Sequence, residues 1–326
     1  MVWLTWRQHR AEALGGLLAL AAVAASLLAL GLPAHHAFAH EGIAACLAQA
    51  SSGPVLTSGS CGEALKLFSG RYLNSGAGGL IPWLNFLPAA IGVFVGAPLL
   101  AREFEHGTWR LAWTQAVPRT RWLAVKLVLL VAGVAALTAV TAVLFTWYRG
   151  PFDQIDGRMW ASAFDFEGLT IPAYALFAFA LGILAGILTR RIVVSMAVTL
   201  GGFLAVRLPV EFWLRPHYQR PVTMTVDPLS TQGPTRVDQV LSTNLIDSAG
   251  HTLSDLQTRR VMDAALQGAT RGDVNTYLQA HSYHWSYVFQ PAARFWHFQL
   301  IEAAIFIGLA AALLTSAVWL LRRRVG

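Results

Sequence analysis

Six long apolar runs dominate this chain, each of them the length of a bilayer crossing. A membrane helix needs about 20 mostly apolar residues to cover roughly 30 Å of hydrocarbon. The runs are Leu14–Leu32, Leu80–Leu100, Trp122–Trp147, Leu169–Leu188, Ile192–Trp213 and Phe298–Leu320. Composition agrees, with 55% hydrophobic and 13% charged residues, where soluble domains carry about a quarter charged. That balance argues against a water-soluble enzyme. Runs four and five are separated only by Thr189, Arg190 and Arg191, which demands a tight antiparallel hairpin at one membrane face. Run one has no small-x-small cleavage site followed by a soluble domain, so it is expected to stay as a span.

An even number of crossings puts both termini on one side, and basic residues in short segments mark the cytoplasmic side. The N-terminus, the stretch 101–126, Arg190–Arg191 and Arg322–Arg324 together hold twelve basic residues against Glu12, Glu103 and Glu105, about +9. The opposite segments hold twelve basic and fourteen acidic residues, about −2. The sequence therefore predicts an all-α polytopic membrane protein in the cell membrane: six transmembrane helices, both termini cytoplasmic, and an extracytoplasmic domain between spans five and six. Its parts are a cytoplasmic amphipathic lead-in (1–13), spans one to five (14–213), the extracytoplasmic domain (214–297), and span six with a basic tail (298–326). The stretch from Arg215 to His297 is too long for a connector. It starts irregular or extended (RPVTMTVDPLSTQGPT) and continues with an amphipathic helix through Leu253, Leu256, Val261, Met262, Ala265 and Leu266, for which Ser254 or Thr252 is the candidate cap.

Cys46 and Cys61 both fall in the first outward loop, where an oxidising compartment favours a disulfide. His35, His36 and His40, and His281 with His284, lack a carboxylate or cysteine at a spacing that completes a metal shell, so no metal site is expected. Ionisable residues inside a bilayer are functional candidates. Arg207 and Glu211 stand four apart on one helix face. Glu302 lies in run six, with Arg294 close by in sequence. These three residues form either a structural ion pair near the interface or part of a polar pathway. Gly92-x-x-x-Gly96 and Gly182-x-x-x-Gly186 permit close helix approach, within one subunit rather than at a dimer seam.

The stretch 101–126 (AREFEHGTWRLAWTQAVPRTRWLAVK) is dense in charge and tryptophan. Thr108 can cap a short helix reaching Ala116, with Leu111 and Trp113 as apolar anchors. From the residues alone it is either an interfacial helix or a docking helix for a partner. The chain has no G-x-x-x-x-G-K-[ST] sequence and hence no Walker-type nucleotide site of its own.

The pattern Glu103-x-Glu105-x-Gly107-Thr108, then Pro118, Arg121 and Lys126 opening the next span, resembles the membrane subunits of type-2 ATP-binding-cassette exporters. FQPAARFWHFQLIEAAIF at 289–306, the ending WLLRRR and the N-terminal WLTWRQHR are similar to actinobacterial permeases of that family. The resemblance implies a permease subunit that moves an amphiphilic or hydrophobic small molecule outward, such as an antibiotic, drug or lipid-like compound. It implies no catalytic residue and no cofactor in this chain, with ATP and Mg held by a separate ATPase subunit. It implies a second permease copy, as a homodimer, alongside membrane lipids, and no nucleic acid. The ATPase-coupling residues would be Glu103, Glu105, His106, Gly107, Thr108, Trp109, Arg110, Trp113, Gln115, Pro118 and Arg121. The alternatives are a non-transporting assembly or sensor component that recruits such an ATPase, and a polytopic membrane enzyme.

Overall fold

The computed structural model describes residues 2–49, 60–73, 83–105, 119–230, 232–268 and 274–325. Six of its helices are long and apolar enough to span a membrane: Leu14–His40, Trp83–Glu105, Ala124–Asp156, Thr170–Thr189, Ile192–His217 and Ala292–Arg323. They are called spans one to six below. Each follows one of the apolar runs, and most extend past it where polar residues continue the helix beyond the hydrocarbon. The face that carries both chain ends is termed the terminal face, and the other the distal face.

Span four is the axis of the bundle. In its central window 72% of residues are buried, against 17% in spans one and six, and spans two, three, five and six all pack against it. Spans one and three form a second layer. Their apolar core, including Leu27, Phe38, Phe145 and Phe152, is closed on the distal side by two short helices, Ile43–Gln49 and Ser60–Tyr72. A Cys46–Cys61 disulfide joins those helices, with Cα atoms 5.7 Å apart.

Spans two and four meet backbone to backbone. A Cβ added at Gly182 would lie 2.5 Å from the Gly92 carbonyl oxygen, and one at Gly96 would lie 2.6 Å from that of Phe179. The two small-x-x-x-small pairs therefore serve packing within one chain, as expected from the spacing. Gly92–Gly96 is also a single π turn inside span two. The predicted hairpin between spans four and five forms with Arg190 in the left-handed region (φ 54°) and Arg191 extended.

Between spans five and six the chain builds a three-stranded antiparallel sheet in the order β1-β3-β2, with β1 Val222–Val226, β2 Gln239–Ile246 and β3 His284–Gln290. Val222 pairs with Phe289 and Ile246 with His284, and a bulge falls between Val240 and Ser242. The extended start expected from the sequence is β1. Strand β3, rich in aromatic and β-branched residues (Trp285, Tyr287, Val288, Phe289), has the composition of a half-buried strand. The amphipathic helix is Asp255–Gly268. Ser254 opens it with a capping box: Gln257 N–H donates to Ser254 Oγ (3.4 Å) and Ser254 N–H to Gln257 Oε1 (2.9 Å). Gln290 clasps the two ends of the sheet-bearing stretch by donating to the Pro216 and Gln219 carbonyls at 3.0 and 2.8 Å.

Because a Cβ at residue 182 meets backbone rather than flexible side chains, Gly182→Ala is expected to cost about 1–3 kcal/mol as an overpacking change. Gly201→Ala, where nothing lies within 4 Å, should be near neutral. Thermal unfolding of the two variants in one detergent checks the difference.

Candidate functional site

Near the distal face, span five carries Arg207, Glu211 and Arg215 at four-residue steps. On a regular helix such a stripe drifts around the axis, because 3.6 residues complete a turn. Pro209 lacks the N–H for the next ladder bond, and the following turn, Val210–Leu214, widens to a π turn. The wider turn rotates less per residue and keeps the three charges on one side.

That side faces three other elements. Arg215 reaches Asp165 Oδ1 at 2.6 Å and grips Glu302 with two nitrogens, Nε–Oε2 at 2.9 Å and Nη2–Oε1 at 2.8 Å. Arg207 lies 2.6 Å from Asp165 Oδ2 and 3.2 Å from Glu211. Tyr174 in span four donates to Glu302 Oε1, and Tyr218 donates to its Oε2 at 3.1 Å. The guanidinium of Arg207 sits over the Tyr174 ring at 4.4 Å, and that of Arg215 over Phe164 at 4.3 Å. Asp165, Arg207, Arg215 and Glu302 are all buried. Burial, with Glu302 beside it, holds the Tyr218 hydroxyl above its usual range, so it remains a donor. Charges removed from water are tolerated only when paired with good geometry, and here the pairing joins spans four, five and six to the segment 157–169.

That segment also feeds a second cluster. Arg149, at the distal end of span three, donates to Asp153 at 3.2 Å, and Arg158 pairs with Glu167 at 2.6 Å. Arg158 also stacks over Phe295 at 4.0 Å. Glu167 Oε1 is buried without a hydrogen-bond partner. Burial, reinforced by the neighbouring Asp153 and opposed by Arg158 and Arg149, pushes the Glu167 carboxyl up to about 8. Gln299 of span six secures the segment from the other side: its amide donates to the Phe164 carbonyl at 2.8 Å, and its oxygen accepts from the Leu169 and Thr170 N–H groups at 3.0 and 3.2 Å. Gly157 (φ 77°) is glycine because a Cβ there would lie 2.3 Å from the Val237 carbonyl oxygen.

The structure brings Arg207, Glu211 and Glu302 together. It does not pair Glu302 with Arg294, which donates instead to Gln290 Oε1 at 2.6 Å and the Arg220 carbonyl at 2.8 Å. Eight residues of helix separate 294 from 302, roughly 12 Å of rise, beyond the reach of a direct pair. Arg215, Asp165, Tyr174 and Tyr218 were missed in the sequence. The 207–211–215 spacing was the readable signal, whereas Asp165 and Tyr174 reach the cluster through long-range folding. His35 stacks on Trp147 and bonds its carbonyl oxygen at 2.8 Å, and His284 pairs with Asp227 at 2.6 Å.

At the terminal face, His106, Gly107, Thr108, Trp109, Arg110, Trp113, Gln115 and Pro118 lie outside the described residues, as does the side chain of Arg121. The stems on either side are described. Glu103 pairs with the buried Lys126 at 2.6 Å, joining the end of span two to the start of span three. Glu105 Oε2 accepts the Ile192 N–H at 2.9 Å, at the start of span five.

Two outcomes follow from the distal clusters. Arg215→Met leaves Asp165 and Glu302 with less than full compensation and should cost about 3–5 kcal/mol; Glu211→Gln, at the more open rim, should cost under about 1 kcal/mol. Thermal unfolding of both variants in detergent checks the contrast. Glu167 is raised from its ordinary value, so its stabilising contribution is full below about 4.5 and is lost as pH rises through about 8. Glu167→Gln should flatten the fall in melting temperature across that window.

Residues 17–215 match the family described as ABC-2 membrane transporter related. The match begins inside span one and ends at Arg215, the residue that ties span five to Asp165 and Glu302. No curated protein and no solved structure matches the chain. With the family match covering more than half of a chain that carries six candidate spans, the protein belongs to the ABC-2 membrane transporter related family.

Proposed function

We propose that this chain is the permease subunit of an ATP-driven exporter, moving an amphiphilic or hydrophobic small molecule outward across the cell membrane. The observation that carries the reading is the family match over residues 17–215, which runs from inside span one to the distal end of span five. Membership implies an ATPase partner, and the chain contains no Walker-type sequence of its own. In this reading the terminal face is cytoplasmic, in line with its excess of basic residues. Two copies pair, and each receives an ATPase on the stretch 101–126.

The physical demand on that stretch is rigidity. Closure of two nucleotide-bound domains moves the spans only through an element fixed to both the ATPase and the helices. The stems meet this demand on the permease side, since Glu103 and Lys126 lock spans two and three to each other. Trp109 and Trp113 are the apolar anchors offered to the ATPase. The charged network near the distal face serves as a structural latch: its charges are paired with one another across three elements. The stretch 214–297 is the extracytoplasmic domain, seated over the exit.

Co-expression of the chain with a Walker-motif ATPase encoded beside it, followed by reconstitution in vesicles, tests the reading. The pair should co-purify and show ATP-dependent, vanadate-sensitive accumulation of a fluorescent amphiphile such as ethidium or a labelled phospholipid. Trp109→Ala with Trp113→Ala should reduce co-purification or transport at least about tenfold while membrane insertion is retained. A pair that hydrolyses ATP and moves none of a panel of amphiphiles would point to a recruiting component that does not transport.

A further inference from the structure

We propose that Glu105 is a positioning residue that caps the N-terminus of span five and carries motion of the 101–126 stretch into that span. The inference rests on the exporter reading above and assigns Glu105 a task inside the chain instead of contact with the ATPase.

Span five starts abruptly. Arg190 takes the left-handed conformation (φ 54°), Arg191 is extended, and the helix begins at Ile192. Its first turn contains no acidic residue, and its N-cap residue, Arg191, makes no side-chain cap hydrogen bond. The first N–H groups of a helix have no partner within it. Glu105 supplies one from a different part of the chain, accepting the Ile192 N–H at 2.9 Å.

The position of Glu105 in its own helix strengthens the argument. It is the last residue of Ala97–Glu105, where the negative end of the helix dipole disfavours a carboxylate. At the N-terminus of span five the same charge is favoured. The side chain thus gains from reaching across to another helix and would lose by staying at its own end. Residues two apart on a helix point to different sides. Glu103 accordingly serves Lys126 of span three, while Glu105 serves span five. Phe104 between them lies 5.8 Å from the Arg190 guanidinium, inside the hairpin that leads to span five. Deeper in the bundle, Ser195 Oγ, which donates to the Ile192 carbonyl at 2.7 Å, lies 3.4 Å from the Ala97 carbonyl. The short helix Ala97–Glu105 therefore branches to spans three and five at its end, and the stretch that follows pulls on both.

The test uses the full chain in complex with its ATPase in nanodiscs. Val193→Cys, on the exposed start of span five, and Val128→Cys, on the exposed start of span three, are each labelled with bimane; the native cysteines are bonded to each other. ATP with vanadate should shift the emission of both labels. With Glu105→Ala the shift at 193 should fall to less than half while that at 128 persists, and amide exchange at Ile192 should quicken by about fivefold, the size of a lost cap. Glu105→Gln keeps an acceptor oxygen and should keep both signals. Unchanged responses at 193 in Glu105→Ala would remove the relay alone. Loss of ATPase co-purification in both Glu105→Ala and Glu105→Gln would overturn it in favour of a charge contact with the ATPase. A wild-type complex in which neither label responds would remove the exporter reading and the relay with it.

Discussion

Arg215 holds the distal half of this molecule together. Its single guanidinium answers two carboxylates that come from places remote in the chain, Asp165 before span four and Glu302 in span six. A charge excluded from water can persist only where opposite charges and donors surround it. Once Arg215 is placed, Asp165, Glu302, Tyr174 and Arg207 have no freedom to lie elsewhere. The ends of spans four, five and six are thereby fixed relative to one another, and so is the segment 157–169, whose Glu167 reaches the span three cluster. The two clusters share that one segment, with Asp165 turned to one and Glu167 to the other.

The terminal half is organised differently. The ties described there include Glu103 to Lys126 and Glu105 to the Ile192 N–H, each between two elements. Multi-element charge networks resist displacement because several pairs must break together, whereas each of these terminal ties couples one helix to one other. In the exporter reading, spans two and three receive the ATPase's motion as a locked pair, and the distal network holds spans four, five and six together. Span four, buried through most of its length, is the member common to both halves.

Much of this was legible in the sequence. Six apolar runs, a three-residue hairpin at 189–191, two glycine pairs and the Ser254 cap depend on local chemistry, and local chemistry can be read along the chain. The pairing of Arg207 with Glu211 belongs to the same class, because four residues of helix bring them to one face. Asp165 and Tyr174 could not be assigned in this way. Nothing in the sequence around Asp165 states that Arg215, fifty residues on, will lie 2.6 Å away. Arg294, close to Glu302 in sequence, is not its partner in space, since a helix carries residues apart along its axis as it brings others around it. Strand β3 was likewise unreadable alone, because its value lies in pairing with both β1 and β2.

The glycine contact between spans two and four has a mechanical meaning. Where side chains separate two helices, rotamer changes let the pair slip or breathe at little cost. At Gly92, Gly96, Gly182 and Gly186 no side chain larger than alanine intervenes, and carbonyl groups face the opposing backbone. The two helices therefore act as one beam of double width, and bending stiffness rises steeply with width. In the exporter reading, a push delivered at residue 105 would be shared by both helices. The smallest residues in the chain thus join two spans into one body.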